Sequence, residues 1–262
     1  MKKVCYIKNI IDLIYNYYDN REKIMEIEKK TLIPTHLQSY YNDDPTIIEI
    51  GVDEAGRGPL FGRVYTSAVI LPSNQKTTDS HSNFDFSKIK DSKKFHSKKK
   101  INEVANYIKE NAVAWTVAYI DESIIDEVNI LQATQLAMHK CINEIIQNNH
   151  MSPENTLLLI DGNYFKPIAM FDKITNKLQT YNYVCVEGGD NKYASIAAAS
   201  ILAKVARDEY IQELCDKHPY LIENYGIDSN KGYGAKKHLD GIKQHGITIW
   251  HRRTFGICKE YV

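Results

Sequence analysis

Two adjacent carboxylates, Asp53 and Glu54, stand at the end of a mostly apolar run over residues 47–52. A run rich in β-branched residues that stops at acids and a Gly-rich turn predicts a buried strand with carboxylates at its end. Both acids could serve one metal cluster there, Glu54 through its side chain or its backbone carbonyl. An Asp-Glu pair before glycine is also typical of a solvated turn, so companions are needed to indicate a site.

Two further acids stand in comparable positions. The apolar run Thr156–Ile160 ends at Asp161, and because it follows a helical pattern it predicts a parallel strand with this acid at its carboxyl end. Asp190 precedes a long helical stretch, where helix capping would account for it equally well. Four carboxylates without His or Cys companions favour Mg²⁺ or Mn²⁺ over zinc. Paired divalent ions are the usual means of in-line phosphodiester cleavage, which indicates a nuclease.

Three basic or Gly-rich stretches could hold a nucleic acid. Gly56-Arg57-Gly58 supplies exposed N–H groups and a guanidinium for a phosphate and its sugar. The lysines of 88–100, Lys93 among them, could face phosphates or form a solvated surface. The segments 231–238 and 250–255 interleave basic and aromatic residues, as a nucleic-acid clamp requires, although a basic surface with core aromatics also fits.

Composition limits the architecture and the mode of binding. With 262 residues, 43% of them hydrophobic, the chain can bury one sizeable core, so we expect one main domain with extensions. Lys plus Arg and Asp plus Glu both number 33, which gives a formal net charge of zero. Nucleic-acid binding must therefore come from local basic patches.

The cysteine pattern and the hydropathy of the chain indicate where in the cell the protein is found. The five cysteines are odd in number, widely spaced and form no C-x-x-C pair, which argues against a disulfide framework and a zinc site. No apolar run reaches transmembrane length, and polar residues interrupt the N-terminal apolar stretch, which argues against a signal peptide. We therefore expect a cytoplasmic protein with no membrane association.

Apolar periodicity divides the chain into elements. Steps of three and four predict a helical N-terminal extension over 1–45, whose aromatic face (Tyr15, Tyr17, Tyr18) favours core packing over a partner contact. Strands are predicted at 64–71, 112–120, 156–161 and 183–187, and helices at 98–110, 130–147 and 193–217. Ser97 is a candidate N-cap, and 72–85 is an unusually long loop. Small residues at 196–200 would let the last helix lie close against the sheet, where Lys204 could pair with Asp208 and Arg207 could anchor the helix.

These motifs together resemble type 2 ribonuclease H, the ribonuclease HII family. The matching stretches follow the family order and lie at 53–60, 91–94, 161–162, 189–193, 196–200, 203–208, 231–233 and 251–255. The resemblance implies an α/β fold: a ribonuclease H-like mixed five-stranded sheet flanked by helices, with a small helical C-terminal domain. It divides the chain into an N-terminal extension (1–45), a catalytic core (46–217) and a C-terminal substrate-binding region (218–262).

The resemblance also implies an activity. Enzymes of this family hydrolyse the RNA strand of RNA–DNA hybrids and incise 5′ of single ribonucleotides in duplex DNA, leaving 3′-hydroxyl and 5′-phosphate ends. Carried over by position, the catalytic, metal-holding residues would be Asp53, Glu54, Asp161 and Asp190. The substrate-binding residues would be Gly56, Arg57, Gly58, Lys93 and Tyr233, of which Tyr233 would stack on the sugar at the RNA–DNA junction. We expect two divalent ions per site and a monomer.

Two alternatives and one departure bear on this interpretation. Type 3 ribonuclease H shares the core, but that family carries a substantial N-terminal domain and a lysine within the Gly-rich motif, whereas this chain has Arg57. A non-catalytic hybrid-binding module would be signalled by loss of an acid, and all four are present. The family commonly continues with a small residue, Gly and Pro where Phe61-Gly62-Arg63 stands, which we expect to add bulk and charge beside the site. The 72–89 insertion lies outside the common core.

Overall fold

The computed structural model describes residues 37–72, 84–172 and 176–262. Most of the predicted N-terminal helical extension, including Tyr15, Tyr17 and Tyr18, lies outside the described residues, as does most of the long loop predicted at 72–85. Residues 37–262 belong to one compact unit. The division of this unit into a core and a C-terminal region at residue 217 stays a prediction.

A mixed five-stranded sheet forms the centre of the fold, as predicted. Its strands are β1 (Ile48–Ala55), β2 (Val64–Ile70), β3 (Ala114–Ile120), β4 (Thr156–Asp161) and β7 (Asn182–Val186), in the order β3-β2-β1-β4-β7. Strand β1 pairs antiparallel with β2 and parallel with β4, and β4 pairs parallel with β7. The parallel pairing brings the carboxyl ends of β1 and β4 to one edge of the sheet, beside each other.

Helices cover both faces of the sheet. They are α1 (Lys98–Asn111), α2 (Glu122–Val128), α3 (Ile130–Asn148), α4 (Ala194–Lys217), α5 (Tyr220–Tyr225), α6 (Ile227–Asn230) and α7 (Lys236–His245). Helix α3 packs on one face with Met138, Ile142 and Ile145, whereas α1 and α4 cover the other with Ile101 and Ala197–Ala199. Among the described residues, no helix is long and apolar enough to cross a membrane.

The close packing of α4 on β1 depends on Gly51. A Cβ placed at Gly51 would lie 2.2 Å from the carbonyl carbon of Ser195, so a side chain there would force the helix away from the strand. The following residues Ala197, Ala198 and Ala199 are wholly buried. The expectation that small residues let this helix lie against the sheet is confirmed.

Several local elements differ from the sequence prediction. Helix α2 was not predicted, because it is short and its start depends on Asp121, whose carboxylate accepts the N–H of Ile124. A separate hairpin, β5 (Ala169–Asp172) and β6 (Lys177–Thr180), was also missed. Strand β3 begins two residues later than predicted. Ser97 precedes α1 as its N-cap residue, but its side chain makes no capping hydrogen bond.

A third apolar cluster joins the C-terminal region to the sheet. Phe61 is wholly buried and packs in one cluster with Ile211, Leu221 and Tyr225. Full burial of a side chain of this size contributes about 1.5–3 kcal/mol. The loop that follows β1 is thus fastened to the helices of the C-terminal region by its own apolar residue.

Candidate active site

A polar cleft of about 510 Å³ opens at the carboxyl ends of β1 and β4. Asp53, Glu54 and Asp161 line it, because the parallel register that pairs Val52 with Ile160 places the next residue of each strand at the same edge. The substrate-binding candidates also line it: Gly56, Arg57, Gly58, Lys93 and Tyr233. Eight of the nine predicted site residues therefore share one cleft.

Asp53 is the most deeply placed of these acids, with 4% of its surface exposed. Its Oδ1 accepts the N–H of Glu54 at 2.6 Å. Burial raises the pKa of Asp53 well above its usual value, and the charges of Glu54 and Asp161 raise it further, while a hydrogen bond from Ser200 opposes the shift. Several carboxylates close together and partly shielded from water favour binding of a cation that would neutralise their negative charge.

Glu54 has a cationic neighbour on the loop that follows it. The Nη1 atom of Arg57 lies 3.2 Å from its Oε1. Burial raises the pKa of Glu54, and the charge and hydrogen bond of Arg57 oppose the rise. The Arg57 side chain is 49% exposed, so this ion pair is weak and the guanidinium is free to exchange its partner.

Asp161 and Asp190 are linked through the turn that precedes α4. The Oδ1 atom of Asp161 accepts the N–H of Gly189 at 2.7 Å. Burial raises the pKa of Asp161, the hydrogen bond from Gly189 opposes this, and the charge of Asp190 raises it again. Asp190 is 2% exposed, lies in a short 3₁₀ helix, Gly189–Asn191, and is the one predicted site residue that does not line the cleft.

The capping alternative for Asp190 is not what the structure shows. The N-cap residue of α4 is Tyr193, and it makes no side-chain cap. The carboxylate of Asp190 instead accepts the ammonium of Lys93 at 3.1 Å and the amide of Asn191 at 3.1 Å. Asp190 is therefore held toward the segment that carries Lys93.

The Lys93 segment is ordered by one internal hydrogen bond and linked to the site by further contacts. Asp91 accepts the N–H of Lys93 at 2.8 Å and so begins the 3₁₀ helix Ser92–Lys94. The hydroxyls of Ser92 and Ser200 lie 3.0 Å apart, which connects this segment to the residue that bonds Asp53. The ammonium of Lys94 donates to Asn191. Lys98, Lys99 and Lys100, by contrast, are exposed on α1.

The donor set fits a hard divalent cation. Burial and mutual repulsion raise the pKa of Asp53 and Asp161, and carboxylate oxygens are the ligands that Mg²⁺ and Mn²⁺ prefer. Among the described residues, no three or more His, Cys, Asp or Glu side chains are grouped so that they could hold a metal ion. That Asp53, Glu54, Asp161 and Asp190 hold one, as the resemblance implies, stays a prediction.

The loop after β1 is shaped by its glycines and by two buried arginines. Gly56 has a φ of 93°, and a Cβ there would lie 2.2 Å from Nε of Arg207. Arg207 donates to the carbonyls of Phe61 and Lys231, so it anchors the loop as well as the helix. Arg252 donates to the carbonyl of Gly56 at 2.6 Å. The role of Arg252 was missed, because nothing in its local pattern distinguishes it from its neighbour Arg253.

Tyr233 lines the same cleft as the acids and lies beside the Gly-rich loop. A Cβ added to Gly58 would lie 3.4 Å from Cε1 of Tyr233, so the ring rests over this glycine. The ring is 51% exposed, and its backbone is fixed by hydrogen bonds to Asn230 and His238. An exposed ring held on a rigid turn is a suitable stacking platform.

The departure at Phe61-Gly62-Arg63 does not affect the cleft as expected. Phe61 is wholly buried in the cluster that joins the C-terminal region. The Arg63 guanidinium lies 4.0 Å from the ring centroid of Tyr119 and 4.5 Å from that of Tyr210. Neither residue lines the cleft. The expectation of added bulk and charge beside the site is wrong, because both side chains point into packed aromatic surroundings. Lys204 and Asp208, by contrast, form the predicted pair at 3.0 Å.

Known proteins with similar sequences agree on one family. The chain is 41% identical to a ribonuclease HII of Phocaeicola vulgatus over 84% of this chain and 94% of that protein. It is 42% identical to a ribonuclease HII of Neisseria meningitidis over 80% of this chain and 92% of that protein. Both relatives are matched over nearly their whole length.

Solved structures with the same fold are more distant in sequence. The ribonuclease H2 of Pyrococcus horikoshii superposes with a TM-score of 0.58 at 21% identity, over 82% of this chain and 97% of that one. A ribonuclease HIII solved with Mn²⁺ gives a TM-score of 0.60 at 17% identity, over 90% of this chain and 79% of that one. The fold is thus common to both types, and the sequence has to separate them.

The family model described as ribonuclease HII matches residues 50–258. This span begins within β1 and ends within the C-terminal region, so it includes every residue discussed above as part of the cleft. The match favours type 2 over type 3. The chain therefore belongs to the ribonuclease HII family and is a hydrolase of the ribonuclease H kind.

Proposed function

We propose that this enzyme hydrolyses the RNA strand of RNA–DNA hybrids and incises duplex DNA 5′ of single ribonucleotides. One observation supports this most strongly: the carboxylates Asp53 and Asp161 share a cleft with the Gly-rich loop and with Tyr233. An enzyme that cuts at a phosphate and recognises the adjoining sugar needs its catalytic carboxylates close to its sugar-binding groups. The products would be 3′-hydroxyl and 5′-phosphate ends.

The acids would hold two divalent ions, Mg²⁺ or Mn²⁺, through Asp53, Glu54, Asp161 and Asp190. When bound, such ions supply positive charge that stabilises the attacking and leaving oxygens of a phosphodiester. Two of these ligands are already held in place: Asp53 is buried, and Asp161 accepts a hydrogen bond from the N–H of Gly189. In the reaction, water adds its oxygen to phosphorus, the P–O3′ bond breaks, and the 3′ oxygen takes up a proton.

Basic groups of the cleft would orient the substrate backbone. The side chain of Arg57 is half exposed, and its one hydrogen-bond partner among the described residues is Glu54, so it can turn to a phosphate. Lys93 is 78% exposed at its side chain and lines the cleft with the acids. Two such cations beside the carboxylates would hold the strand at them.

Selectivity for a ribonucleotide would come from groups that sense the 2′-hydroxyl, since this group alone separates RNA from DNA at a given step. The N–H groups of the Gly56–Gly58 loop can approach the sugar because glycine adds no side chain. Tyr233 lies over Gly58, so its ring can stack on the following deoxyribose while its hydroxyl meets the 2′ oxygen. The loop and Tyr233 would then recognise the same RNA–DNA junction, one through the ribose and the other through the next sugar.

That the enzyme is a monomer stays a prediction. Size-exclusion chromatography with light scattering would measure its mass in solution. A cytoplasmic location stays a prediction.

The proposed function is tested with three labelled duplexes of one sequence: all DNA, DNA with one ribonucleotide, and an RNA–DNA hybrid. Each is incubated with Mg²⁺, Mn²⁺ or EDTA, and the cut is mapped at single-nucleotide resolution. We expect cutting 5′ of the ribonucleotide and within the hybrid, dependent on metal, with no cutting of DNA. Cleavage of the hybrid alone would limit the enzyme to hybrid substrates.

A further inference from the structure

Arg252 is wholly buried, although it carries a charge. Burial lowers its pKa to about 9, which leaves the guanidinium protonated at neutral pH. Buried charges are normally paired with an opposite charge. Within the described ranges, no carboxylate lies at ion-pair distance from this side chain. Its partners are backbone carbonyls instead.

Those carbonyls all belong to the loop that follows β1. The Nε atom donates to Gly62 at 2.8 Å, Nη1 donates to Arg57 and Pro59 at 2.9 Å each, and Nη2 donates to Gly56 at 2.6 Å. Hydrogen bonds from a charged donor are roughly twice as strong as neutral ones. One side chain therefore fixes the direction of four carbonyls within a seven-residue turn, 56–62.

The direction of these carbonyls decides where the loop's N–H groups point. In a trans peptide, the C=O of one residue and the N–H of the next point in opposite directions, and no cis peptide is present among the described residues. The carbonyls of Gly56 and Arg57 point inward to Arg252, so the N–H groups of Arg57 and Gly58 point outward. Neither N–H has a hydrogen-bond partner among the described residues.

Arg252 also connects this loop to Tyr233. Its backbone N–H donates to the carbonyl of Leu60 at 2.8 Å, and the N–H of Leu60 donates to the carbonyl of Gly232 at 2.8 Å. Gly232 directly precedes Tyr233. The two groups proposed to sense the ribose are therefore joined through one buried residue, by two consecutive backbone hydrogen bonds.

We propose that Arg252 is a positioning residue for ribose recognition: it holds the N–H groups of Arg57 and Gly58 outward and sets their place relative to Tyr233. It does not touch the substrate itself. This inference rests on the proposed function, because it names the residue that orders the proposed 2′-hydroxyl sensor.

The test compares binding of two duplexes that differ by one 2′-hydroxyl, all DNA and DNA with one ribonucleotide, in EDTA so that neither is cut. Wild type is expected to bind the ribonucleotide duplex more tightly. Arg252→Met is expected to lose at least about fivefold of this preference while its affinity for all-DNA duplex stays within about twofold. With metal present, kcat/KM should fall at least about tenfold more for the single ribonucleotide than for the hybrid, since a hybrid offers many further ribose contacts.

The matched control is Ile142→Ala. This change opens a cavity in the core between α3 and the sheet, in a different apolar cluster from Phe61. It should reduce stability yet leave the ratio between the two substrates unchanged, because loss of folded enzyme lowers both rates alike. Hydrogen exchange at the amides of Leu60 and Gly62, whose N–H groups are hydrogen-bonded, should quicken in Arg252→Met and not in the control.

If Arg252→Met does not fold, Arg252→Lys decides by the same ratio, because lysine keeps the charge but cannot make four bonds in the planar fork of a guanidinium. An unchanged preference in a folded Arg252 variant would overturn the inference. A wild-type enzyme that neither prefers nor cuts the ribonucleotide duplex would instead overturn the proposed function.

Discussion

The ammonium of Lys93 lies 3.1 Å from Oδ2 of Asp190, a residue that is almost entirely buried. The hydrogen bond with Asp190 raises the pKa of Lys93, and burial opposes the rise. Burial raises the pKa of Glu54 and of Asp161, and the charge of this ammonium opposes the rise. Lys93 therefore supplies a counter-charge to the carboxylate cluster.

Removal of this ammonium should tighten metal binding in the absence of substrate. A cation and a divalent ion a few ångströms apart in water repel by about 1–2 kcal/mol before screening by salt. We expect Lys93→Gln to raise the affinity for Mn²⁺ about threefold to tenfold in a calorimetric titration. Lys94→Gln is the matched control, since Lys94 bonds Asn191 and no carboxylate of the cluster. Equal affinities in the two variants would contradict this role of Lys93.

Asp161→Asn should keep the fold and substrate binding but remove turnover. The amide oxygen can still accept the N–H of Gly189, as the carboxylate does at 2.7 Å, but it lacks the charge that would retain a divalent ion. Loss of charge stabilisation worth several kcal/mol corresponds to at least about a hundredfold lower kcat. Thermal unfolding and binding to hybrid in EDTA serve as controls. Near-wild-type cleavage would exclude Asp161 as a ligand.

Substitutions at Tyr233 should separate the ring from its hydroxyl. Loss of an aromatic platform costs about 1–3 kcal/mol by analogy with base stacking, so Tyr233→Ala should lower kcat/KM on the single-ribonucleotide duplex at least about tenfold. Tyr233→Phe keeps the ring and loses one hydrogen bond of about 0.5–1.5 kcal/mol, so its loss should be smaller. An unchanged value for Tyr233→Ala would show that junction sensing lies elsewhere.

The buried pair His238 and His251 should make stability depend on pH. Their Nε2 atoms lie 3.0 Å apart, and the backbone N–H of Thr248 donates to Nδ1 of His251. Burial and, to a smaller extent, the neighbouring His238 lower the pKa of His251 to about 3. The native side chain stays neutral where the unfolded one, with a pKa of about 6.5, takes up a proton.

The sign of the effect follows from proton binding. Between about pH 6.5 and 3, the unfolded state binds a proton that the native state does not, so His251 contributes less stability as the pH falls. The stability difference between wild type and His251→Asn should shrink by about 1.4 kcal/mol per pH unit below pH 6.5. Urea unfolding between pH 5 and 8 measures it, with His96→Asn, an exposed histidine, as control. A difference that stays constant over this range would contradict a neutral His251.

Local chemistry made the centre of the fold predictable. The apolar runs before Asp53 and Asp161 predict buried strands because a strand covered on both faces carries little polar surface, and both strands are present. The small residues 196–200 predict the close approach of α4, since no side chain separates it from β1. The four acids and the Gly-rich loop were identified because their residue types limit the chemistry that they can perform. Helix α2 and the hairpin β5–β6 were not predicted, because each is too short to show a recurring pattern of apolar residues.

Tertiary structure alone decided which partners these groups have. The resemblance indicated Lys93 as a substrate-binding residue, but only the fold placed it against Asp190, 97 residues away. Arg252 was one of two adjacent arginines, and only packing buried it and turned it to Gly56, 196 residues earlier. Residue type limits which hydrogen bonds a side chain can donate or accept. Its partner, however, depends on which chain segments the shared core brings together. Local periodicity carries no information about such distant contacts.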